Sequence, residues 1–147
     1  MAMRLLANRA EAEDAVQDGC LRAYDALQAG RYEDRGRMET WLVTIVTRVA
    51  MDMLRGRKAR APVLSSDDPS EVAWPGATEE QIVAIIELDR WLGALPPDQR
   101  AAVVLKELEG LTSAEVGLAL GVSEGAIEQR LLRARATMKR RMKDEGR

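Results

Sequence analysis

At 147 residues and 46% apolar content, the chain can form one ordinary domain or two small ones, and 31% charged residues keep its surface wet. With no His and a single cysteine, Cys20, it excludes an internal disulfide framework, a His-based catalytic triad and the usual imidazole or thiolate metal sites. The formal net charge of −2 hides a segregation. Residues 37–60 carry six basic and two acidic side chains, residues 66–91 one basic and seven acidic, and residues 123–147 eight basic and four acidic. Two cationic regions thus flank an anionic one, and local charge, not the mean, decides where a polyanion docks. Either patch alone also reads as an ordinary solvated face.

Phe is absent, so the core must come from Leu, Val, Ile, Ala and Met, a mix that suits helix packing. No stretch alternates long enough for a half-buried strand, and the expected fold class is all-α. No apolar run is long enough to span a membrane, and the start lacks a signal-peptide core. A soluble, cytoplasmic protein is expected, with no cofactor.

Asn8 and Glu11 have capping-box spacing and open a helix that should run to about Gln28 and stop at Gly30. Val16, Cys20, Ala23 or Tyr24, and Leu27 recur at helical spacing and are expected to be its buried face. Asp14, Gln17, Asp18, Leu21 and Asp25 fall opposite. A second long helix is expected from about Met38 to Lys58, burying Trp41, Leu42, Ile45, Val49 and Met53, with Thr44, Arg48, Met51 and Arg55 on another side. Its basic end, "RGRKAR", suits the helix dipole.

Residues 61–77, "APVLSSDDPSEVAWPGA", read as a linker. The halves it separates, 1–60 and 78–147, are each small for independent stability. "TEEQ" from Thr78 is a second capping box, for a helix using Ile82, Ile85, Ile86, Leu88 and Trp91 or Leu92. Pro96 and Pro97 break that helix and start the next, which ends at Gly110. Thr112 and Glu115 form a third capping box, for a short helix ending at Leu120. Gly121 makes a turn and Ser123 caps the last helix.

That last pair has the spacing of a helix-turn-helix. Gly117 falls where the helices should approach closely, and Gly121 where the turn needs φ > 0. Leu118, Leu120, Val122, Ile127 and Leu131 are expected to form the shared core. In such motifs the second helix enters the major groove with its N-terminal residues toward the bases.

Taken in order, "EAEDAVQDGCLRAYDAL", "RGRMETWLVTIVTRVAMDMLRGRKAR" and "LPPDQRAAVVLKELEGLTSAEVGLALGVSEGAIEQRLLRARATM" resemble the sigma-70 family of bacterial transcription initiation factors, in its extracytoplasmic-function group (group 4). The resemblance implies two small helical domains joined by a flexible linker. The first (1–60) is a region 2-like unit whose first helix is expected to be missing. The second (78–147) is a region 4-like helix-turn-helix unit of four helices. It implies a factor that binds core RNA polymerase and directs promoter recognition, with no active site of its own. The implied polymerase face is Asp14, Gln17, Asp18 and Leu21. The implied −10 contacts are Thr44, Arg48, Arg55, Arg57 and Lys58. The implied −35 contacts are Ser123, Glu124, Ala126, Glu128, Gln129, Arg130, Arg133 and Arg135. An anti-sigma factor is a further implied partner; no membrane and no small-molecule substrate are.

The sequence departs from the family pattern at informative places. Arg48 stands where Asn is common in the −10 helix. The familiar "GTVKSR" becomes "GAIEQR", so Ala126 replaces a hydroxyl and Glu128 a lysine. Glu124 and Glu128 lie near a helix N-terminus, where the dipole favours acid, and a carboxylate there can accept from the cytosine amino group. Two other readings stand beside the sigma factor: a sigma-like decoy that occupies an anti-sigma factor without binding promoters, and a free-standing helix-turn-helix DNA-binding regulator.

Overall fold

A computed structural model describes residues 1–32, 36–58 and 76–146, the side chains at 57 and 58 excepted. The expected linker falls almost wholly outside the described residues, as do the side chains of Arg57 and Lys58. The described secondary structure is helical: α1 Ala2–Leu6, α2 Arg9–Gln28, α3 Met38–Lys58, α4 Glu79–Gly93, α5 Pro97–Val103, α6 Ser113–Leu120 and α7 Glu124–Glu145. Among the described residues no helix is long and apolar enough to cross a membrane.

Local chemistry sets most of these limits. The Asn8 side chain accepts from the Glu11 amide at 2.9 Å. Thr78 with Gln81, and Thr112 with Glu115, form complete capping boxes, each satisfying two amides that a helix start leaves open. Gly30, Gly110 and Gly121 take positive φ just past helix ends. Pro97 occupies the first turn of α5, where no amide is needed. Beyond Val103 the helix winds wider over Val104–Leu108, and the Glu109 amide reaches back to the Val104 carbonyl at 3.0 Å.

Of the face expected to be buried on helix α2, only Ala23 is. Val16, Leu27 and Tyr24 are 44%, 44% and 60% exposed, and Cys20 is exposed too. The buried residues are Ala12, Ala15, Gly19 and Ala23. The reason is close approach: a Cβ on Gly19 would lie 2.6 Å from Val46 Cγ2 and 3.2 Å from Val46 Cα in α3. Small side chains let the two backbones meet, and the larger ones are turned out.

In α3 the fully buried residues are Val46, Thr47, Val49, Ala50 and Leu54, while Trp41, Leu42, Ile45 and Met53 are half-buried. Trp41 packs against the ring of Tyr32, centroids 4.7 Å apart. The short α1, which precedes the first capped helix, drives Leu5 and Leu6 into the same core. Burying one such side chain is worth about 1.5–3 kcal/mol.

That core does not stop at the linker. Leu92, Leu95, Ala101, Val104 and Ala134 from the C-terminal half join α1, α2 and α3 in one apolar cluster. Polar ties reinforce the seam. Arg4 Nε meets Asp89 Oδ1 at 3.2 Å. The Arg100 guanidinium donates to the carbonyls of Leu92 (2.9 Å), Leu95 (3.0 Å), Gly93 (3.2 Å) and Leu5 (3.3 Å), closing the open ends of α4 and α1 at once. A second cluster belongs to α5, α6 and α7: Ala102, Leu105, Leu111, Val116, Ala119, Ile127 and Leu131.

Candidate nucleic-acid interface

Helices α6 and α7 meet around two glycines. Gly121 takes φ 71°, and the Val122 amide closes the turn on the Gly117 carbonyl at 2.9 Å. A Cβ on Gly117 would stand 2.7 Å from the Val122 carbonyl oxygen, so only glycine lets the turn fold back this tightly. Ser123 then caps α7, its Oγ accepting from the Ala126 amide at 3.1 Å. Ile127, Leu131 and Ala134 face inward. Leu118, expected in this core, is 71% exposed, and Val116 and Ala119 fill the place instead. Gly117 draws α6 in along the 116–117–119 side, which turns position 118 outward.

The inward face of α7 fixes the outward one. Glu124, Gly125, Gln129, Leu132, Arg133 and Ala136 are exposed, while Ala126 and Arg130 are half-buried. Arg130 and Arg133 pair with no described residue, whereas Arg135 meets Glu107 at 3.2 Å. Glu128 is also tied: its carboxylate accepts from the buried Ser113 hydroxyl at the start of α6. Leu132, 62% exposed, is an apolar member of the outward face. Sequence reasoning missed it, although an inward Leu131 already places position 132 outside.

On α3 the residues of interest are partly engaged. The Thr44 hydroxyl donates back to the Thr40 carbonyl at 2.8 Å, and Arg55 pairs with Asp52. Arg48 donates to the main-chain carbonyl of Leu118 at 2.8 Å, so the basic side of α3 lies along α6. Further along this seam, Glu115 is held below the usual carboxylate range. The main cause is the Thr112 amide, opposed by slight burial; the Thr112 hydroxyl, the Arg37 charge and the Thr40 hydroxyl, all lowering, complete the set.

On α2, Asp14, Gln17 and Leu21 are exposed, and Asp18 pairs with Arg22 at 3.1 Å. The side chains of Val16 and Leu27, expected inside, and of Tyr24, the alternative there to Ala23, widen this outer surface with apolar area.

The described residues are thus helical, with a helix-turn-helix, a cationic extension and a separate helix exposing apolar and acidic side chains together, the build of a helix-turn-helix protein with a second surface set apart from it. The comparisons make that class specific. Residues 1–60 match the model of sigma-70 region 2, and residues 85–138 that of sigma-70 region 4. The extracytoplasmic-function RNA polymerase sigma factor SigM of Mycobacterium tuberculosis is 37% identical over 130 residues, covering 88% of this chain and 63% of SigM. The RNA polymerase sigma factor CarQ of Myxococcus xanthus is 34% identical over 127 residues, covering 86% of this chain and 72% of CarQ. Among solved structures, the sigma factor RpoE of Bartonella quintana, in complex with the anti-sigma factor NepR, is similar at a TM-score of 0.73 and 25% identity, covering 97% of this chain and 87% of that one. The extracytoplasmic-function sigma factor SigJ of Mycobacterium tuberculosis is similar at 0.59 and 29%, over 92% of this chain and 47% of SigJ. The chain belongs to the sigma-70 family, in its extracytoplasmic-function group. It spans 63% of the length of SigM and 54% of that of the SigE relative from Mycolicibacterium smegmatis.

Proposed function

We propose that this chain acts in the cytoplasm as a sigma factor, binding core RNA polymerase and directing it to promoters. The observation that carries the reading is the presence, in order in one chain, of a region 2 match at 1–60 and a region 4 match at 85–138. A free-standing helix-turn-helix regulator has no use for the first.

In this reading the unit at 1–60 meets polymerase through the outer side of α2. Asp14, Gln17 and Asp18 supply polar contacts, and Leu21, with Val16 and Tyr24 beside it, supplies area worth burying. The cations of α3, Arg48 and Arg55 with Arg57 and Lys58, neutralise phosphates around the −10 element, with Thr44 beside them. Phosphate contacts give such complexes most of their affinity and salt dependence. The unit at 78–147 presents Ser123, Glu124, Ala126 and Gln129 toward bases of the −35 element, with Arg130, Arg133 and Arg135 on the backbone. Residues 61–77 join the two. The chain supplies recognition, and polymerase supplies the chemistry. RpoE's complex with NepR extends the reading to an anti-sigma partner.

Reconstitution with core polymerase, followed by transcription from a promoter library, tests this. Core binding with promoter-dependent transcripts is the expected result. Core binding without transcripts overturns it in favour of a decoy. Salt-dependent DNA binding without core binding overturns it in favour of a free-standing regulator.

A further inference from the structure

Glu128 stands second-turn deep in α7, on the flank between the inward Ile127 and Leu131 and the outward Gln129 and Leu132. From a flank a carboxylate can turn either way, toward the groove of bound DNA or toward α6. Here it turns to α6. Its partner, the Ser113 hydroxyl, belongs to a residue only 5% exposed. A buried hydroxyl must find an acceptor, and Glu128 is the acceptor Ser113 has among the described residues. The site also suits the charge, because Ser113 is the first residue of α6 and the open amides of a helix start attract an anion. A bond to an ionised acceptor is about twice as strong as a neutral one.

We propose that Ser113 is a positioning residue for base selection: it holds the Glu128 carboxylate on α6 and so removes it from the set of side chains that read DNA. This rests on the sigma-factor reading above and takes Glu128 out of the −35 contacts that the family resemblance implies. Base choice then falls to Glu124 and Gln129, with apolar contact from Leu132, while Arg133 holds the backbone. Of the two exposed carboxylates in the first turns of this helix, Glu124 and Glu128, the second is thereby kept on the protein side. When the hydroxyl is lost, the carboxylate is free to swing outward, where it accepts from the cytosine amino group.

The test uses the full chain reconstituted with core polymerase and a promoter library randomised across the −35 element, read by sequencing the transcribed templates. Glu128→Ala should select the same bases as the wild type, with a lowered melting temperature for the free chain. Ser113→Ala should select differently, with cytosine enriched about three- to tenfold at one or two positions. Ser113→Ala combined with Glu128→Ala should return to the wild-type selection, and Ser113→Thr, which keeps the hydroxyl, should never leave it. A merely structural bond would move the melting temperatures and not the bases. A changed selection in Glu128→Ala overturns the inference, because Glu128 would then be reading bases. An unchanged selection in Ser113→Ala overturns it too. If Ser113→Ala fails to assemble, a changed selection in Glu128→Ala still overturns the inference. A wild-type chain that supports no promoter-dependent transcription overturns the sigma-factor reading, and this inference with it.

Discussion

The guanidinium of Arg48 donates to the main-chain carbonyl of Leu118 at 2.8 Å, joining the basic side of α3 to the first helix of the helix-turn-helix. The two residues are 70 positions apart in sequence, and the bond lies on an exposed seam between two elements proposed to meet different parts of a promoter. The bond uses one of the five N–H donors of the guanidinium, so the others are left for a phosphate. Promoter engagement through Arg48 therefore calls on the donors that Leu118 leaves open. Arg48→Ala should cost the free chain only about 0.5–1.5 kcal/mol, as expected for one solvent-exposed hydrogen bond. In complex with polymerase it should reduce the slope of log affinity against log salt by about 0.7–0.9, the contribution of one phosphate. An unchanged slope would show that Arg48 meets no phosphate.

Glycine 19 invites a test of packing against propensity. Alanine is the better helix former by about 1 kcal/mol, so on local grounds Gly19→Ala should stabilise α2. The Cβ it adds would stand 2.6 Å from Val46 Cγ2 and 3.2 Å from Val46 Cα, and the second atom is backbone. Helices α2 and α3 must then separate along their tightest contact. A net loss of about 1–3 kcal/mol is expected from such overpacking, read as a lower urea midpoint. A gain in stability would mean that α3 shifts without cost.

The same glycine explains what could be read in the sequence and what could not. Helix starts at Asn8, Thr78, Thr112 and Ser123 are decided within four residues, by a side-chain oxygen and a nearby amide, and all four caps form as the spacing implies. Which side of α2 is buried depends on how near another backbone comes. Hydrophobicity pointed to Val16, Cys20, Leu27 and either Ala23 or Tyr24, but distance favoured Ala12, Ala15 and Gly19 and, of the last two, Ala23. Leu118 was misplaced for a related reason: Gly117 sits against the turn, which leaves its bulky neighbour outside. The order of the three motifs was enough to indicate the family. The partners of Arg48, Ser113 and Arg100 were beyond reach, because each bond joins positions that only the folded chain brings together.

Arg100 offers a test of that last kind of bond. Its guanidinium donates to four carbonyls spread over the ends of α4 and α1. A lysine carries the same charge on a single nitrogen and cannot span them. Arg100→Lys should therefore leave carbonyls at the seam without a donor and cost roughly 2–4 kcal/mol. Chemical denaturation measures this, and hydrogen exchange should show faster opening at Leu95 and Ala7 than at Ile127. A loss below about 0.5 kcal/mol would mean that water replaces the guanidinium, and that the apolar cluster alone joins the halves.

Glu115 supplies a test by pH. Its carboxylate is held below its ordinary value chiefly by the Thr112 amide, with help from the Thr112 hydroxyl, Arg37 and Thr40. A carboxyl whose folded value is depressed adds stability above its unfolded value, about pH 4.3, and loses it as pH falls through the folded value. Glu115→Gln keeps an acceptor for the capping box but removes the charge. At pH 7 the variant should be slightly less stable than the wild type, and the difference should be modest because the group is only half-buried and solvent screens part of the interaction. As pH falls through the lowered folded value the wild type loses its advantage, and the two denaturation curves should converge. Added salt at pH 7 should shrink the gap as well, through the Arg37 contribution. A gap that persists at pH 2 would assign the effect to amide geometry in the cap, and not to the charge facing α3.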